Sequence, residues 1–342
     1  MNFKSDNIVP VHDKIMDAIV KANHGVANSY GDDDYSKALE KRVSEVFEKK
    51  VKIYLTNTGT AANSLGLASL VKPYEAIYCH EESHVNNDES GAPELFTSGA
   101  KLVTLIGENG KIDLGALQEK INFHKSLRPH AQKPGCITLT QATECGTIYS
   151  LDELLKIKVF AKEEGLPIHM DGARFANALV SLGCTPSEAT WKSGVDVMSF
   201  GGTKNGAMCA EMIIFFNEKY VENFDHIHKR GGQLVSKMRF FSSQFLAYLE
   251  DDLWIQNAKH ANKIARLLEG VFKKHGFNSF YPVDANEVFI KLPLDLVQTL
   301  RNQGASFYDW GLASKNLYRF VTSFHTSVEQ IEIFEGALKE IQ

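Results

Sequence analysis

Two stretches decide the fold: IHMDGAR at residues 168–174 and SFGGTKNG at residues 199–206. Each follows or ends an apolar run typical of a buried strand and then becomes polar and glycine-rich. Asp171 comes where the first strand ends, and Lys204 follows the second strand and a Gly-Gly turn. Because ligands in open α/β sheets bind beyond the carboxyl ends of the strands, we expect this carboxylate and this amine to face one cleft.

Outward from these stretches, the sequence alternates apolar runs with helix-like segments. Five more runs are predicted to be strands: VKIYLTN, EAIYCH, KLVTLI, CITLTQAT and EMIIFF, at residues 51–57, 75–80, 101–106, 136–143 and 211–216. Helices are predicted at residues 58–71 and 151–165. Strands that alternate with helices indicate an α/β fold, with a mostly parallel sheet covered by helices on both faces.

The pattern changes after about residue 220. Residues 231–276 have apolar side chains at the three- and four-residue spacing of a long helix. Two strands and a terminal helix follow, at residues 287–292, 318–324 and 328–342. We therefore predict a large domain, residues 1–245, and a smaller C-terminal α+β domain, residues 246–342.

Composition excludes several classes of function. The chain has 342 residues, of which 44% are hydrophobic and 23% charged, with a formal net charge of -5. This balance is that of a globular protein and predicts neither a nucleic-acid nor a membrane partner. The first residues, MNFKSDNIVPVHDKIM, predict no secretory signal. Five cysteines without a CxxC pair predict a cytoplasmic protein with mostly buried free thiols, and the twelve histidines lack the spacing of a metal site.

Lysine and aspartate at neighbouring strand ends suit pyridoxal phosphate. This cofactor needs a lysine for a Schiff base and an acidic partner for its pyridine nitrogen. Lys204 and Asp171 would supply these two groups. Taken singly, Asp171 is more simply explained as a helix cap and Lys204 as a surface lysine; their occurrence together favours the cofactor.

Two further segments add groups to the same edge. Thr58, Gly59 and Thr60 follow a strand and open a helix, where backbone N–H groups favour an anion such as the cofactor phosphate. No GK[ST] follows, so this is not a Walker loop. His84, in the polar segment at residues 79–94, could stack on the cofactor ring or transfer a proton, or could simply be solvated.

Two arginines are candidates for a substrate carboxylate. Arg174 lies three residues beyond Asp171, and Arg319 lies inside an apolar strand. An arginine in such surroundings needs a partner, because an unpaired buried charge is expensive. A substrate carboxylate and an internal salt bridge are equally compatible with these positions.

Together these segments resemble one family, the low-specificity L-threonine aldolases, including their phenylserine-type members. The resemblance runs nearly end to end and is carried by KSDN, YGDD, TGTAAN, HVNNDESGAPE, TQATECG, HMDGAR, SFGGTKNG and SKMRF, at residues 4–7, 30–33, 58–63, 84–94, 140–146, 169–174, 199–206 and 236–240. It implies the type I fold of pyridoxal-phosphate enzymes, similar to aspartate aminotransferase. It also implies a lyase that cleaves L-threonine, L-allo-threonine and related 3-hydroxy-amino acids, such as 3-phenylserine, to glycine and an aldehyde.

The resemblance implies a role for each candidate. Lys204 would form the Schiff base, Asp171 would pair with the pyridine nitrogen, and His84 would stack on the ring face. The cofactor phosphate would be bound by Thr58, Gly59 and Thr60. The substrate carboxylate would be bound by Ser5, Arg174 and Arg319, and Arg174 would also contact the cofactor. His130 would contact the substrate hydroxyl. The implied assembly is a homotetramer, a dimer of dimers, in which Lys229 and the region of Arg239 reach a neighbouring subunit.

Two departures from the family leave open the preferred aldehyde and the base that takes the β-hydroxyl proton. The chain reads ESGA where many members have EAGG, and TQATECG lacks the histidine that many carry there; both resemble the phenylserine-type branch.

One alternative to an aldolase is a β-eliminating lyase or an aminotransferase of aromatic amino acids with the same cofactor. Another is a non-catalytic binding protein that retains the fold.

Overall fold

A computed structural model describes residues 1–310 and 315–339. Its strands are β1 Lys52–Thr56, β2 Glu75–His80, β3 Lys101–Leu105, β4 Lys133–Thr140, β5 Ile168–Gly172, β6 Val197–Gly201, β7 Glu211–Phe215, β8 Glu287–Lys291, β9 Tyr308–Asp309 and β10 Leu317–Val321. The first seven form one sheet in the order β1-β7-β6-β5-β4-β2-β3. All seven strands predicted for this part of the chain are therefore confirmed.

The helices alternate with these strands in the first part of the chain. They are α1 Asp13–Ala22, α2 Asp34–Val46, α3 Gly59–Leu70, α4 His84–Asn87, α5 Ala92–Phe96, α6 Leu114–Ser126, α7 Leu151–Glu164, α8 Phe175–Leu182, α9 Phe224–Arg230, α10 Arg239–Leu249, α11 Leu253–Lys274, α12 Leu294–Asn302 and α13 Val328–Lys339. The predicted helices at residues 58–71 and 151–165 are confirmed as α3 and α7. Gly165 ends α7 in the left-handed conformation, which glycine adopts without steric cost.

The large sheet is mostly parallel, as predicted. Strands β2 to β6 pair in parallel, whereas β7 runs antiparallel to both β1 and β6. Only residues 202–210 connect β6 to β7, and a parallel crossover needs a dozen or more. As a result β1, β2, β4, β5 and β6 all end at one edge of the sheet, where β7 begins.

Both faces of this sheet are buried. Tyr78 and Met198 point into a core shared with α1, α2, α7, α8 and α10, while Ile77 and Val197 point into a second core beneath α3. Strands covered on both sides are expected for a sheet whose connections are helices.

A second, antiparallel sheet of three strands, in the order β8-β10-β9, lies towards the C-terminus. Its core includes Phe272, Phe320 and Phe334, together with Phe3 from the N-terminal segment. The Phe3 N–H donates to the Ser306 carbonyl at 2.7 Å, and the Phe3 carbonyl accepts from the Val321 N–H at 2.8 Å. The N-terminal segment is thus tied to the small sheet.

The long helix predicted at residues 231–276 is wrong as a single element. Residues 231–238 are largely turn, and α10 and α11 are separated by a single turn at Glu250–Asp252. Asp251 and Asp252 have φ of 48° and 56°, a left-handed conformation that aspartate tolerates better than most residues. The apolar spacing continues through this turn, so periodicity alone does not reveal the break.

The C-terminal predictions are adjusted at their ends. The strand predicted at 318–324 stops at Val321, and the terminal helix is described to Lys339, with residues 340–342 outside the described part of the chain. Within residues 1–310 and 315–339, no helix has the length and apolar character needed to cross a membrane. All five cysteines are free, and the predicted burial is confirmed for Cys79, Cys136 and Cys145.

Candidate active site

A cavity of about 250 Å³ opens where the parallel strands of the large sheet end. Its lining residues are Asn7, Asn57, Thr58, Gly59, Thr60, Asn63, His84, Asp171, Ala173, Thr203, Lys204 and Glu211. Six of the residues singled out from the sequence are among them. The lysine, the aspartate, the histidine and the threonine-glycine helix start therefore share one site.

The start of α3 forms one wall of the cavity and carries backbone N–H groups that can donate hydrogen bonds. Thr58 caps the helix: its Oγ1 accepts from the Ala61 N–H, and its carbonyl accepts from the Ala62 N–H, both at 3.1 Å. The amides of Gly59 and Thr60, in the first turn, have no acceptor within the helix. A Cβ at Gly59 would have no neighbour within 4 Å, so there is open space beside these amides. An anion of phosphate size suits this position.

Asp171 is held by hydrogen bonds to both of its oxygens. It lies at the end of β5 and is only 3% exposed. Its Oδ1 accepts from the Ala173 N–H at 3.0 Å, and its Oδ2 accepts from Asn63 Nδ2 at 2.8 Å. The carboxylate therefore presents a fixed negative charge to the cavity.

His84 belongs to the same hydrogen-bond network. Its Nδ1 lies 2.9 Å from Glu89 Oε1, which also accepts from Asn63 Nδ2 at 2.8 Å. Burial alone would lower the pKa of His84, but the hydrogen bond to Glu89 and the charges of Glu144 and Asp171 raise it above its ordinary value. Glu89 thus fixes the imidazole orientation and favours its protonated form.

Lys204 lies in a single helical turn, Thr203–Asn205, directly after β6. Asn205 anchors this turn: its Nδ2 donates at 2.8 Å to the Trp254 carbonyl and to Tyr248 Oη, and its carbonyl accepts from Asn257 Nδ2 at 2.9 Å. All three hydrogen-bond partners belong to α10 or α11, so these helices fix the backbone that carries the lysine.

Glu211 is a further acid in the cavity that sequence reasoning missed. It begins β7 and accepts from the Thr203 N–H at 3.3 Å. Burial raises the pKa of Glu211 to about 7, against the lowering effect of Thr203 and Lys204. The signal was present in the sequence, because a glutamate opens the otherwise apolar run at residues 211–216.

The two arginines lie in different surroundings. Arg174 is buried and pairs bidentately with Asp6, through Nε to Oδ2 at 2.8 Å and NH2 to Oδ1 at 3.0 Å. For Arg174 the structure therefore shows the internal salt bridge. Arg319 lies on β10 with its NH1 3.6 Å from Glu287 Oε1 and its guanidinium 4.4 Å from the Trp310 ring centroid.

The last two candidates are placed differently. Ser5 caps the turn that contains Asn7, whose N–H donates to Ser5 Oγ at 3.1 Å, and Asn7 lines the cavity. His130 does not lie with the other candidates. It sits in the loop that precedes β4, at the amino ends of the strands, and the eight residues of β4 place roughly 26 Å of strand between that loop and the carboxyl edge.

The residues present fit pyridoxal phosphate. The free amides beside Gly59 suit its phosphate, Asp171 provides the anion that its pyridine nitrogen needs, and Lys204 provides the amine. All three line one cavity. His84, hydrogen-bonded to Glu89, is placed to contact the ring or the substrate.

Comparisons with known proteins agree with this site. The model of the beta-eliminating lyase family matches residues 2–294. The chain is 42% identical over 340 residues to a low specificity L-threonine aldolase from a Pseudomonas species, covering 99% of this chain and 97% of that protein. It is also 42% identical to a Pseudomonas aeruginosa protein of the same name, over 96% of this chain and 94% of that one.

Solved structures show the same architecture. Leishmania major threonine aldolase superposes with a TM-score of 0.92 at 26% identity, covering 99% of each chain. Aspartate aminotransferase from Thermotoga maritima superposes with a TM-score of 0.73 at 14% identity, covering 100% of this chain and 91% of that one, a likeness of fold alone. The expected type I fold of pyridoxal-phosphate enzymes is confirmed.

Proposed function

For a chain that belongs to the beta-eliminating lyase family, and within it to the low specificity L-threonine aldolases, we propose cleavage of L-threonine to glycine and acetaldehyde with pyridoxal phosphate. One observation carries the proposal: Lys204, Asp171 and His84 line a single cavity beside the open start of α3. A non-catalytic relative would have no need to keep all four features together.

Pyridoxal phosphate, when bound, supplies the electron sink that stabilises the negative charge left on Cα when the Cα–Cβ bond breaks. The protein's own residues hold and orient the reacting groups. Lys204 would bind the cofactor covalently, Asp171 would keep its pyridine nitrogen protonated, and the amides of Gly59 and Thr60 would hold its phosphate. Fixed charges of this kind cost no reorganisation during the reaction.

The substrate carboxylate is assigned mainly to Arg319. Two of the donors of Arg174 are already bonded to Asp6, whereas Arg319 Nε is buried and has no hydrogen-bond acceptor among the residues that the structure describes. A bidentate contact with a carboxylate would supply one. Ser5 and Arg174 would support this contact from the N-terminal segment and from the end of β5.

The range of substrates is proposed to include L-allo-threonine and 3-phenylserine. Support comes from the segment HVNNDESGAPE at residues 84–94, which resembles the phenylserine-type members, and from the low specificity in the names of the relatives. We expect an aromatic aldehyde to be released as well as acetaldehyde.

The products decide between cleavage and elimination. The holoenzyme is expected to convert L-threonine into equal amounts of glycine and acetaldehyde, measured by amino-acid analysis and by coupled reduction of the aldehyde. L-allo-threonine and both hands of 3-phenylserine are assayed in parallel. Ammonia and a 2-oxo acid in place of glycine and aldehyde would assign the chain to the eliminating branch instead.

We propose that the protein assembles as a homo-oligomer, with a dimer of dimers as the expected form. Apolar side chains are exposed on α1 and in the segment after it: Met16 is 38% exposed, Val20 58%, Val26 105% and Tyr30 53%. A second copy would cover them. Sedimentation of the purified holoenzyme should show a tetramer, with dissociation by Val20→Glu; a monomer at micromolar concentration would contradict the proposal.

A further inference from the structure

Two arginines and two carboxylates form a largely buried cluster beside the cavity, made of Asp6, Arg174, Glu287 and Arg319. Asp6 precedes Asn7 and Arg174 follows Ala173, and both of these neighbours line the cavity. Glu287 and Arg319 come from β8 and β10 of the small sheet, where Glu287 opens its strand. The cluster therefore lies where the two sheets and the N-terminal segment meet.

One half of the cluster is fully paired. Arg174 makes two hydrogen bonds to Asp6, at 2.8 and 3.0 Å, and Asp6 Oδ2 also accepts from Asn286 Nδ2 at 3.1 Å. Asn286 in turn donates to the Thr322 carbonyl at 2.7 Å. Asp6 is thus ionised, makes several hydrogen bonds and neutralises the charge of Arg174.

Glu287 has no such partner. Its side chain is completely buried, and neither carboxylate oxygen makes a hydrogen bond within residues 1–310 and 315–339. The nearest cations, Arg174 NH2 and Arg319 NH1, both lie 3.6 Å from its Oε1, which is too far for a hydrogen bond. A buried carboxylate is expensive to keep ionised without hydrogen bonds, so its position between two guanidinium groups needs an explanation.

Charge balance gives that explanation. With Glu287 ionised, its charge and that of Asp6 cancel those of Arg174 and Arg319, and a substrate carboxylate would add an uncompensated negative charge. With a proton on Glu287, one positive charge is left over. That charge belongs to Arg319, whose Nε is buried and has no hydrogen-bond acceptor in the described part of the chain.

We propose that Glu287 is a positioning residue that couples binding of the amino-acid carboxylate to the uptake of one proton. The carboxylate of the substrate takes the guanidinium of Arg319, and Glu287 accepts a proton from solvent as it gives up that ion pair. The inference rests on the proposed function, because it takes an amino acid as the ligand. It adds a group that tunes how strongly the site holds any amino acid.

The surroundings fix the direction of the pH dependence. Burial raises the pKa of Glu287; Arg174 and Arg319 oppose the shift, and Glu144, in the turn after β4, and Asp6 add to it. The net pKa lies above its ordinary value, so the protonated form persists to higher pH than in a free glutamate. Affinity for the amino acid is therefore highest below that pKa and falls as pH rises through it, by up to about tenfold per pH unit for one linked proton.

The test measures proton uptake directly. Glycine is titrated calorimetrically into the holoenzyme and into its Glu287→Gln variant, in buffers of different ionisation enthalpy and at several pH values. Glutamine keeps the size of the side chain but cannot take up a proton. Above the pKa of Glu287, the parent protein should take up about one more proton per site than the variant, and its Kd for glycine should rise with pH by about tenfold per unit relative to the variant.

A matched control is Glu332→Gln, an exposed glutamate on α13 of the same part of the chain, which should behave as the parent protein. Exchange of the glycine amine is common to all three proteins, so it cancels in the comparison. A purely structural Glu287 would change stability but leave the proton count and the slope of Kd with pH unaltered. Equal counts in parent and variant would overturn the proposal.

A second measurement needs no variant and covers the case in which Glu287→Gln does not fold. Infrared difference spectra of the parent holoenzyme, recorded on adding glycine above the pKa of Glu287, should show a new carbonyl band of a protonated carboxylic acid. Absence of that band would overturn the inference. A parent protein that binds glycine but releases no aldehyde from threonine would instead contradict the proposed function, so the two failures are distinct.

Discussion

Replacing Lys204 with alanine is expected to reduce aldehyde release from L-threonine by about 10⁴-fold or more, because the cavity loses the amine that would bind the cofactor covalently. The fold should be unaffected, since the turn is anchored by the side chain and carbonyl of Asn205 rather than by Lys204. The measurement is turnover under saturating cofactor, together with the visible absorbance of the cofactor–lysine bond, which should disappear.

Two variants separate the amine from its charge. Lys204→Arg keeps a positive charge in the cavity but removes the nucleophilic amine, so it should be as inactive as Lys204→Ala. Lys219→Ala alters an exposed lysine after β7 and should retain full turnover and absorbance. Aldehyde release at the parental rate by Lys204→Ala would mean that another group takes the covalent role.

Asp171→Asn is expected to lower turnover by about 10²- to 10³-fold at saturating cofactor and to weaken cofactor binding. The asparagine has the right size but no charge to keep the pyridine nitrogen protonated. It also places an amide where Asp171 Oδ2 now accepts from Asn63 Nδ2. Turnover and the apparent Kd of pyridoxal phosphate, measured by fluorescence, check the two effects separately.

The hydrogen bond and the charge can be told apart at this position. Asn63→Ala removes the donor to Asp171 and to Glu89 but keeps the carboxylate itself, so its loss of turnover should be smaller than that of Asp171→Asn. If Asp171→Asn kept parental turnover with cofactor in excess, the ring would have to draw its compensating charge from a different residue.

The secondary structure could be predicted from the sequence wherever burial requires a run of apolar residues. The central strands of the large sheet are apolar because both of their faces are covered, and this made them recognisable. The edge strands β1 and β3 are partly exposed and were recognised from shorter apolar runs. Strand β9 has only two residues, too few to carry a pattern, and was missed. The break between α10 and α11 was hidden because left-handed φ angles at Asp251 and Asp252 do not disturb the apolar spacing around them.

The site was predictable where its residues follow strand ends and not where they act through distant partners. Lys204 and Asp171 are marked by the glycine-rich turns around them. Asn63 was visible as a polar residue in an apolar helix, but its link to Asp171, 108 positions away, belongs to tertiary structure. The same holds for Arg174, whose partner Asp6 lies 168 positions earlier in the chain.

The attachment of Phe3 and Asp6 has a consequence for biosynthesis. These residues leave the ribosome early, yet the strand that receives Phe3 ends at Val321, and Asn286, which steadies Asp6, is also made late. Until the stretch that contains Asn286 and Val321 emerges, the N-terminal segment has no strand to bind to. Asp6 is then not held in place as the counter-ion of Arg174. Competence for amino-acid recognition should thus arise only at the close of translation, and prematurely terminated chains should be unable to acquire it.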